Sequence, residues 1–307
     1  FVMRVALLCG GTSGEMEVSL ASAAAVESAL SKKYEVVMID TAEDDWARSL
    51  LDAAVDGVFV CLHGGIGENG CIQGFCESLE LPYTGSGVFA SAAAMDKVVS
   101  KNIVKESGIA TPESFAFRAC DPARLAEALH ALGDKVVVKP STEGSALGVQ
   151  IVDSSEDLIN AVKDALALAP CVLVERFIEG RELTVAVLGG DDPSALPVVE
   201  IVPVNSFYDY ESKYVPGMAR HVCPADITDS ERKACQEMAV AAHRSLGCRG
   251  VSRSDCILDS QGKVWYLETN TIPGMTGTSL LPDAAKAAGM GFDELCWRLM
   301  EDAWHRG

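Results

Sequence analysis

The sequence predicts a mixed fold: α/β at the N-terminal end and α+β beyond it, a parallel doubly wound unit followed by antiparallel sheets with helices. Three observations carry this. Over the first 100 residues, buried-type strands alternate with helical patterns, the signature of a parallel sheet. Glycine-rich stretches sit directly behind two of those strands, where such sheets bind ligands. From about residue 113 the pattern changes to strand–loop–strand pairs interspersed with helices.

Taken in order, "RVALLC" (4–9) is a continuous apolar strand, and "EVSLASAAAVESALS" (17–31) carries a helical pattern. "YEVVMID" (34–40) and "GVFVCL" (57–62) are two further buried strands, and "GCIQGFCESLEL" (70–81) is a short helix. "SAAAMDKVVSKNIVKESGI" (91–109) is one helix, stopped by Gly108 and Thr111-Pro112. Next come a strand at "ESFAFR", a helix at "DPARLAEALHAL", strands at 135–140 and 148–152 around a glycine-rich loop, and a helix over 154–168. "CVLVERFI" and "ELTVAVL" are strands. The last third adds strands at "LPVVEIVPV", "RSDCILD" and "VWYLETN", and helices near 229–246 and 293–304. Between them, residues 205–227 form a long, polar, aromatic and weakly patterned loop, a length usually associated with function or disorder.

The 307 residues, 49% hydrophobic, suffice for two or three packed domains. The formal net charge of −19, from 44 acids against 25 bases, argues against a nucleic-acid partner. The 11 cysteines include no CxxC pair and no zinc-like spacing, so they are expected to be reduced thiols packed as small apolar residues in the cytosol. No 18-residue apolar run predicts a membrane span, and "FVMRVALLC" lacks the length and flanks of a signal peptide.

"RSDCILDSQGKVWYLETN" (253–270) reads as a hairpin with a two-residue loop at Gln261-Gly262. That register pairs Ile257 with Tyr266, Asp255 with Glu268 and Arg253 with Asn270. Two carboxylates then stand side by side, with Cβ atoms roughly 5 Å apart. Water, a shared proton or a divalent cation could each relieve their repulsion. Asp255, Glu268 and Asn270 fit either a solvated strand end or the oxygen set that a hard cation takes.

"VVVKPSTEGSALGV" (136–149) is strand, lysine, glycine loop, strand. It is no Walker loop, yet Gly144 and Gly148 let backbone N–H groups approach an anion and Lys139 adds charge. A plain hairpin turn fits it equally. Lys97 alone reads as an exposed helix lysine. Glu15 fits a Thr12-x-x-Glu15 capping box, or a partner for a substrate ammonium. His63 ends a buried strand and fits a structural or a ligand role.

Together the stretches "LLCGGTSGEMEVSL", "LHGGIGENGCIQGFCESLELPYTGSGVFASAAAMDKVVSK", "VVKPSTEGSALGV", "FYDYESKY" and "SRSDCILDSQGKVWYLETNTIPGMTGTSLLP" resemble the D-alanine–D-alanine ligases of the ATP-grasp superfamily. They run in the family's order over nearly the whole length. The resemblance implies an ATP-grasp fold. A parallel α/β domain would cover residues 1–90, a central α+β subdomain 91–187, and a C-terminal α+β subdomain 188–307 with loop 205–227 as a lid. It implies a cytoplasmic homodimer that uses ATP and two Mg²⁺ (or Mn²⁺) ions to join two D-alanines for peptidoglycan synthesis.

The resemblance also assigns residues. Lys97, Lys139 and Ser145 would hold ATP phosphates. Glu175, Phe177 and Ile178 would face adenine, Glu182 the ribose, and Phe207 would complete the nucleotide site. Asp255, Glu268 and Asn270 would ligate metal. Glu15 would take the first D-alanine's ammonium, near His63, tied to Ser145 and Tyr214. Lys213 would reach the transferred phosphate. Arg253 and the Gly274 N–H would stabilise the oxyanion, and Ser279 and Leu280 would receive the second carboxylate. Two positions depart from the family pattern: Met16 stands where arginine is usual, and Ala146 where a second serine is usual.

Overall fold

The computed structural model describes residues 2–203 and 219–305. The first sheet is parallel, with β1 (Arg4–Cys9) between β2 (Glu35–Asp40) and β3 (Gly57–Val60). β1 is buried beyond its first residue and β3 throughout, which is why both read as unbroken apolar runs. Helix α1 (Met16–Leu30) buries Ser19, Ser22, Ala23, Val26, Ala29 and Leu30, a stripe at helical spacing. Glu15 is its N-cap residue but makes no side-chain cap bond, so the Thr12–Glu15 capping box does not form. Three short helices follow: α2 (Trp46–Asp52), α3 (Gly65–Glu68) and α4 (Cys71–Ser78).

The helix expected over 91–109 is two helices, α5 (Val88–Met95) and α6 (Lys97–Glu106). Asp96 breaks the run: it is extended, at φ −85° and ψ 107°, and its carboxylate accepts from Val98 N–H at 2.9 Å and Val99 N–H at 3.2 Å. Aspartate is among the best N-caps, so a new start is favoured there. The second sheet is antiparallel, in the order β4 (Ser114–Phe117), β7 (Val172–Arg176), β5 (Val136–Pro140), β6 (Gln150–Val152). Helices α7 (Pro122–Leu132) and α8 (Ser155–Leu166) cover one face through Leu125, Leu132, Leu158 and Val162.

The third sheet is antiparallel and six-stranded. Its path is β11 (Ala219–Val222), β10 (Val199–Pro203), β8 (Gly180–Leu188), β12 (Val251–Asp259), β13 (Val264–Asn270), with β9 (Ser194–Ala195) on β8. β8, which the 91–187 span assigns to the central subdomain, pairs along its whole length with β12 and so lies in this sheet. One face, carrying Leu183, Val185, Val187 and Tyr266, packs on α5, α6 and α9 (Asp229–Ser245). The other face, with Ala186, Leu188, Val199 and Ile201, meets α10 (Leu280–Ala287) and α11 (Phe292–Trp304). Those helices also pack on β1, β3 and α1, joining the first and third sheets in one core.

The β12–β13 hairpin differs from expectation at its turn. Asp259 N–H donates to Lys263 O at 3.0 Å, and Gly262 stands at φ +78°, so the loop has three residues, with glycine in the left-handed position. This shifts the pairing by one: Ile257 faces Trp265 and Cys256 faces Tyr266. A bulge between Asp255 and Cys256 restores the register, so Asp255 faces Glu268 and Arg253 faces Asn270, as the sequence predicts.

Candidate active site

Two adjoining cavities, of about 390 and 130 Å³, share Lys97, Glu143 and Glu268 in their walls. The larger takes Glu15, His63 and Glu68 from the first unit, Gly144 and Ser145 from the loop after β5, and Arg253, Asn270, Gly274, Ser279 and Leu280 from the third. The smaller takes Lys139, Glu175, Phe177 and Ile178 around the second sheet, and Glu182, Asp255, Ile257 and Leu267 from the third. Every described residue to which the resemblance assigns a role lines one of them. Phe207, Lys213 and Tyr214, with most of loop 205–227, lie outside the described residues.

Glu15 leaves the start of α1 and accepts a hydrogen bond from Ser145 Oγ. Its other oxygen fits between two glycines: a Cβ at Gly64 would lie 2.9 Å from Oε2, and one at Gly144 3.1 Å. Gly64 is also left-handed, at φ +66°. Side chains at these two positions would push the carboxylate away, so the two glycine loops form its cradle.

His63 is buried, with Nε2 3.3 Å from Ser22 Oγ, while Ser22 Oγ accepts from Met275 N–H at 3.2 Å. Burial lowers its pKa, against the pull of Glu15, so the imidazole is neutral at neutral pH. Glu68, which the sequence reading passed over, is buried and accepts from Gly64 N–H at 2.9 Å. Burial first, and the Glu15 charge second, push its carboxyl up to about 8.

At the junction of the cavities, acids and bases interlock. Thr184 Oγ1 donates to Asp255 Oδ1 at 2.5 Å, and Arg253 grips both Asp255 oxygens, Nε–Oδ1 at 3.0 Å and Nη2–Oδ2 at 2.9 Å. Lys97 Nζ lies 3.2 Å from Glu268 Oε2 and donates to Glu143 O at 2.7 Å. Asn270 Oδ1 accepts from Ile272 N–H at 2.7 Å. The side-by-side carboxylates are thus offset by two cationic side chains. Among the described residues no three His, Cys, Asp or Glu side chains converge as metal ligands; the oxygen set here is two carboxylates and an amide.

The smaller cavity has a charged floor. Glu175 Oε1 lies 2.5 Å from Lys139 Nζ, and its Oε2 2.7 Å from Lys101 Nζ. Burial would raise Glu175, but the two ammonium groups hold it below the usual carboxylate range. Lys135 Nζ lies 4.0 Å from the centre of the Phe177 ring. The loop above carries Ser145 at φ +51° and Ala146 at φ +58°, two non-glycine residues in the left-handed region. The bulge in β13 sets Leu267 beside Glu268 in the cavity wall, a contact that strict alternation would have turned away.

Comparisons with known proteins bear on what this arrangement serves. The family model described as D-ala D-ala ligase C-terminus matches residues 103–301, and the one described as D-ala D-ala ligase N-terminus matches residues 44–86. A D-alanine–D-alanine ligase from Desulforudis audaxviator is 47% identical over 99% of this chain and 100% of that protein. One from Desulfotalea psychrophila is 47% identical over 97% of this chain and 94% of its own. A solved Bacillus anthracis D-alanine–D-alanine ligase complexed with ATP superimposes with TM-score 0.87 at 30% identity, covering 99% of this chain and 98% of that one. The VanG D-Ala:D-Ser ligase of Enterococcus faecalis gives 0.85 at 30%, covering 99% and 100%. At this identity over the full length, on a shared ATP-grasp fold, the chain belongs to the D-alanine–D-alanine ligase family.

Proposed function

We infer that the protein uses ATP to join two D-alanines into D-alanyl-D-alanine for peptidoglycan synthesis, as a homodimer in the cytoplasm. The observation that carries this reading is the pair of cavities meeting at Lys97 and Glu268. One has a floor suited to a nucleotide; the other has an acid cradle suited to a small amino acid.

A carboxylate is a poor acyl donor. The γ-phosphoryl of ATP first passes to the carboxylate of one D-alanine, and the amine of the second attacks the acyl phosphate, releasing phosphate. Phosphoryl transfer needs positioning and charge neutralisation more than covalent help. Lys139, Lys97 and the backbone N–H groups around Ser145 and Ala146 supply cationic and dipolar contacts for phosphate oxygens. Glu175, Phe177 and Ile178 line the adenine end, and Glu182 takes the ribose. Glu15 takes the first D-alanine's ammonium, with His63 beside it. Arg253 and the Gly274 N–H face the oxyanion, and Ser279 and Leu280 take the second carboxylate. Phe207, Lys213 and Tyr214, outside the described residues, would complete the nucleotide and phosphate contacts and help exclude water from the acyl phosphate.

The donor set of Asp255, Glu268 and Asn270 fits hard divalent cations. All three are oxygen donors, and two are carboxylates held together that need positive charge. Bound Mg²⁺ or Mn²⁺ would neutralise phosphate charge there. The reading divides the chain into three units, with β8 counted in the third because it pairs with β12, and the nucleotide lies between the second and third.

Coupled ADP release with ATP, D-alanine and Mg²⁺, followed by mass spectrometry of the product, tests this. D-alanyl-D-alanine with no turnover on L-alanine is expected. A mixed product from D-serine or D-lactate acceptors would reassign the second substrate, and ATP binding without phosphate release would overturn the reaction.

A further inference from the structure

Lys101 lies one helical turn beyond Lys97 on α6, so both side chains leave the same face. Lys97 reaches the junction of the cavities. Lys101 stops one layer behind the smaller cavity and is only 3% exposed. Its Nζ donates to Thr111 Oγ1 at 2.7 Å, and that hydroxyl donates to Tyr266 O at 3.0 Å. The same Nζ holds one oxygen of Glu175, whose other oxygen holds Lys139. One buried carboxylate is therefore shared between a lysine in the cavity wall and a lysine behind it.

Two cations on one anion give the buried Lys101–Glu175–Lys139 triad one net positive charge, beneath a cavity whose wall also carries Glu143, Glu182, Asp255 and Glu268. Buried charges normally occur as neutral pairs, because an excess charge is costly to desolvate. An excess retained beside a cavity points to an anion that repays the cost on binding. The geometry adds an orientation effect. With one Glu175 oxygen tied back to Lys101, only the other is presented to Lys139. Without that tie the carboxylate could close on Lys139 with both oxygens and draw the ammonium away from the cavity.

We propose that Lys101 is a positioning residue for nucleotide binding: it anchors Glu175 so that Lys139 stands at the cavity wall with its positive charge only partly offset. The proposal rests on the ATP reading above. Burial draws the Lys101 ammonium down to about 8, Glu175 opposing this and Lys139 adding to it. The charged groups facing Lys101 are Glu175 on β7, Lys139 on β5 and, farther off, Glu268 on β13. Deprotonation of Lys101 leaves a neutral Lys139–Glu175 pair, so affinity for an anionic nucleotide falls as pH rises through about 8.

The test is calorimetric titration of the whole protein with Mg²⁺–ATP, without D-alanine, from pH 6.5 to 9, alongside steady-state kinetics. Lys101→Met removes the surplus cation and leaves a balanced pair, which favours folding. It should weaken ATP binding and raise the KM for ATP about tenfold, leave the KM for D-alanine within about twofold, and abolish the weakening above pH 8. Lys101→Arg keeps a cation that does not titrate, so it should hold ATP affinity near that of the unaltered protein and also lose the pH break. A Lys101→Met protein that binds ATP normally, or one that loses thermal stability with ATP affinity unchanged, would overturn the proposal. So would a pH break that persists in Lys101→Arg. Because binding is read without D-alanine, failure of the unaltered protein to make a dipeptide would overturn the ligase reading separately.

Discussion

Glu68 contributes to stability in the opposite sense from most carboxylates. Its carboxyl is raised from about 4.5 to about 8 by burial and by Glu15, so the folded protein holds a proton there that the unfolded chain has released at neutral pH. The stabilising contribution is complete below pH 4.5 and is lost as pH rises through 8. Glu68→Gln, close in shape and uncharged, should therefore raise stability at pH 7 by about 1–3 kcal/mol. It should also flatten the dependence between those pH values, as denaturant melts across pH 5–8 would show. A variant that is less stable at pH 7 would mean the ionised form is the native one. Glu15 and His63 were legible in the sequence because each sits where a strand or loop opens a helix. Glu68 was not: in "GGIGENG" it reads as a loop acid, and only its burial beside Glu15 gives it meaning.

At the scale of elements, the break between α5 and α6 sets the start of the helix that carries Lys97 and Lys101. Asp96 caps α6, and Lys97 N–H donates to Ser141 O at 2.8 Å, tying the helix start to the end of β5. Asp96→Ala should cost about 1 kcal/mol through the lost cap and raise the KM for ATP more than that for D-alanine. Thermal melts and steady-state kinetics would check this; an unchanged ratio of the two constants would separate the cap from the site. The break was hidden in the sequence because "AMDKVVSK" keeps helical periodicity straight through it. The hairpin was legible where it matters and illegible at its tip. The pairing of Asp255 with Glu268 follows from period two. The three-residue loop and the bulge at Leu267 cancel one another, so neither leaves a mark on the apolar pattern. Helix α10 and strand β11 were also missed, the first behind a Thr/Ser-rich turn and the second within a polar stretch.

For the whole molecule, the first and third sheets share a core through α10 and α11. Lys32 pairs with Asp293 at 2.5 Å, Lys33 pairs with Glu301, and the Tyr34 and Trp304 rings meet edge to face at 5.2 Å. The ion pairs are exposed and contribute little; the apolar contacts carry the stability. Leu299→Ala, at a position 4% exposed, should destabilise the protein by about 2–5 kcal/mol. Scanning calorimetry should record a lower melting temperature that Mg²⁺–ATP only partly restores; an unchanged melting temperature would show the sheets to be held together elsewhere. Pattern alone named most strands of both sheets and helix α11 but not α10, and it carried no information about which distant segments meet. Among the described residues all 11 cysteines are free and most are buried, in line with their expected use as small apolar residues. None of the described helices is long and apolar enough to cross a membrane.

The return of α11 onto β1 and β3 also bears on how the chain is made. Residues 4–9 leave the ribosome long before residues 292–304 exist to cover them. At ordinary elongation rates that interval is roughly 15–60 s. Through that time α1 covers only part of that face of the first sheet, and the apolar side chains that α11 will bury stay open to solvent. Synthesis of this protein thus includes a period in which a nascent-chain chaperone has a defined surface to hold.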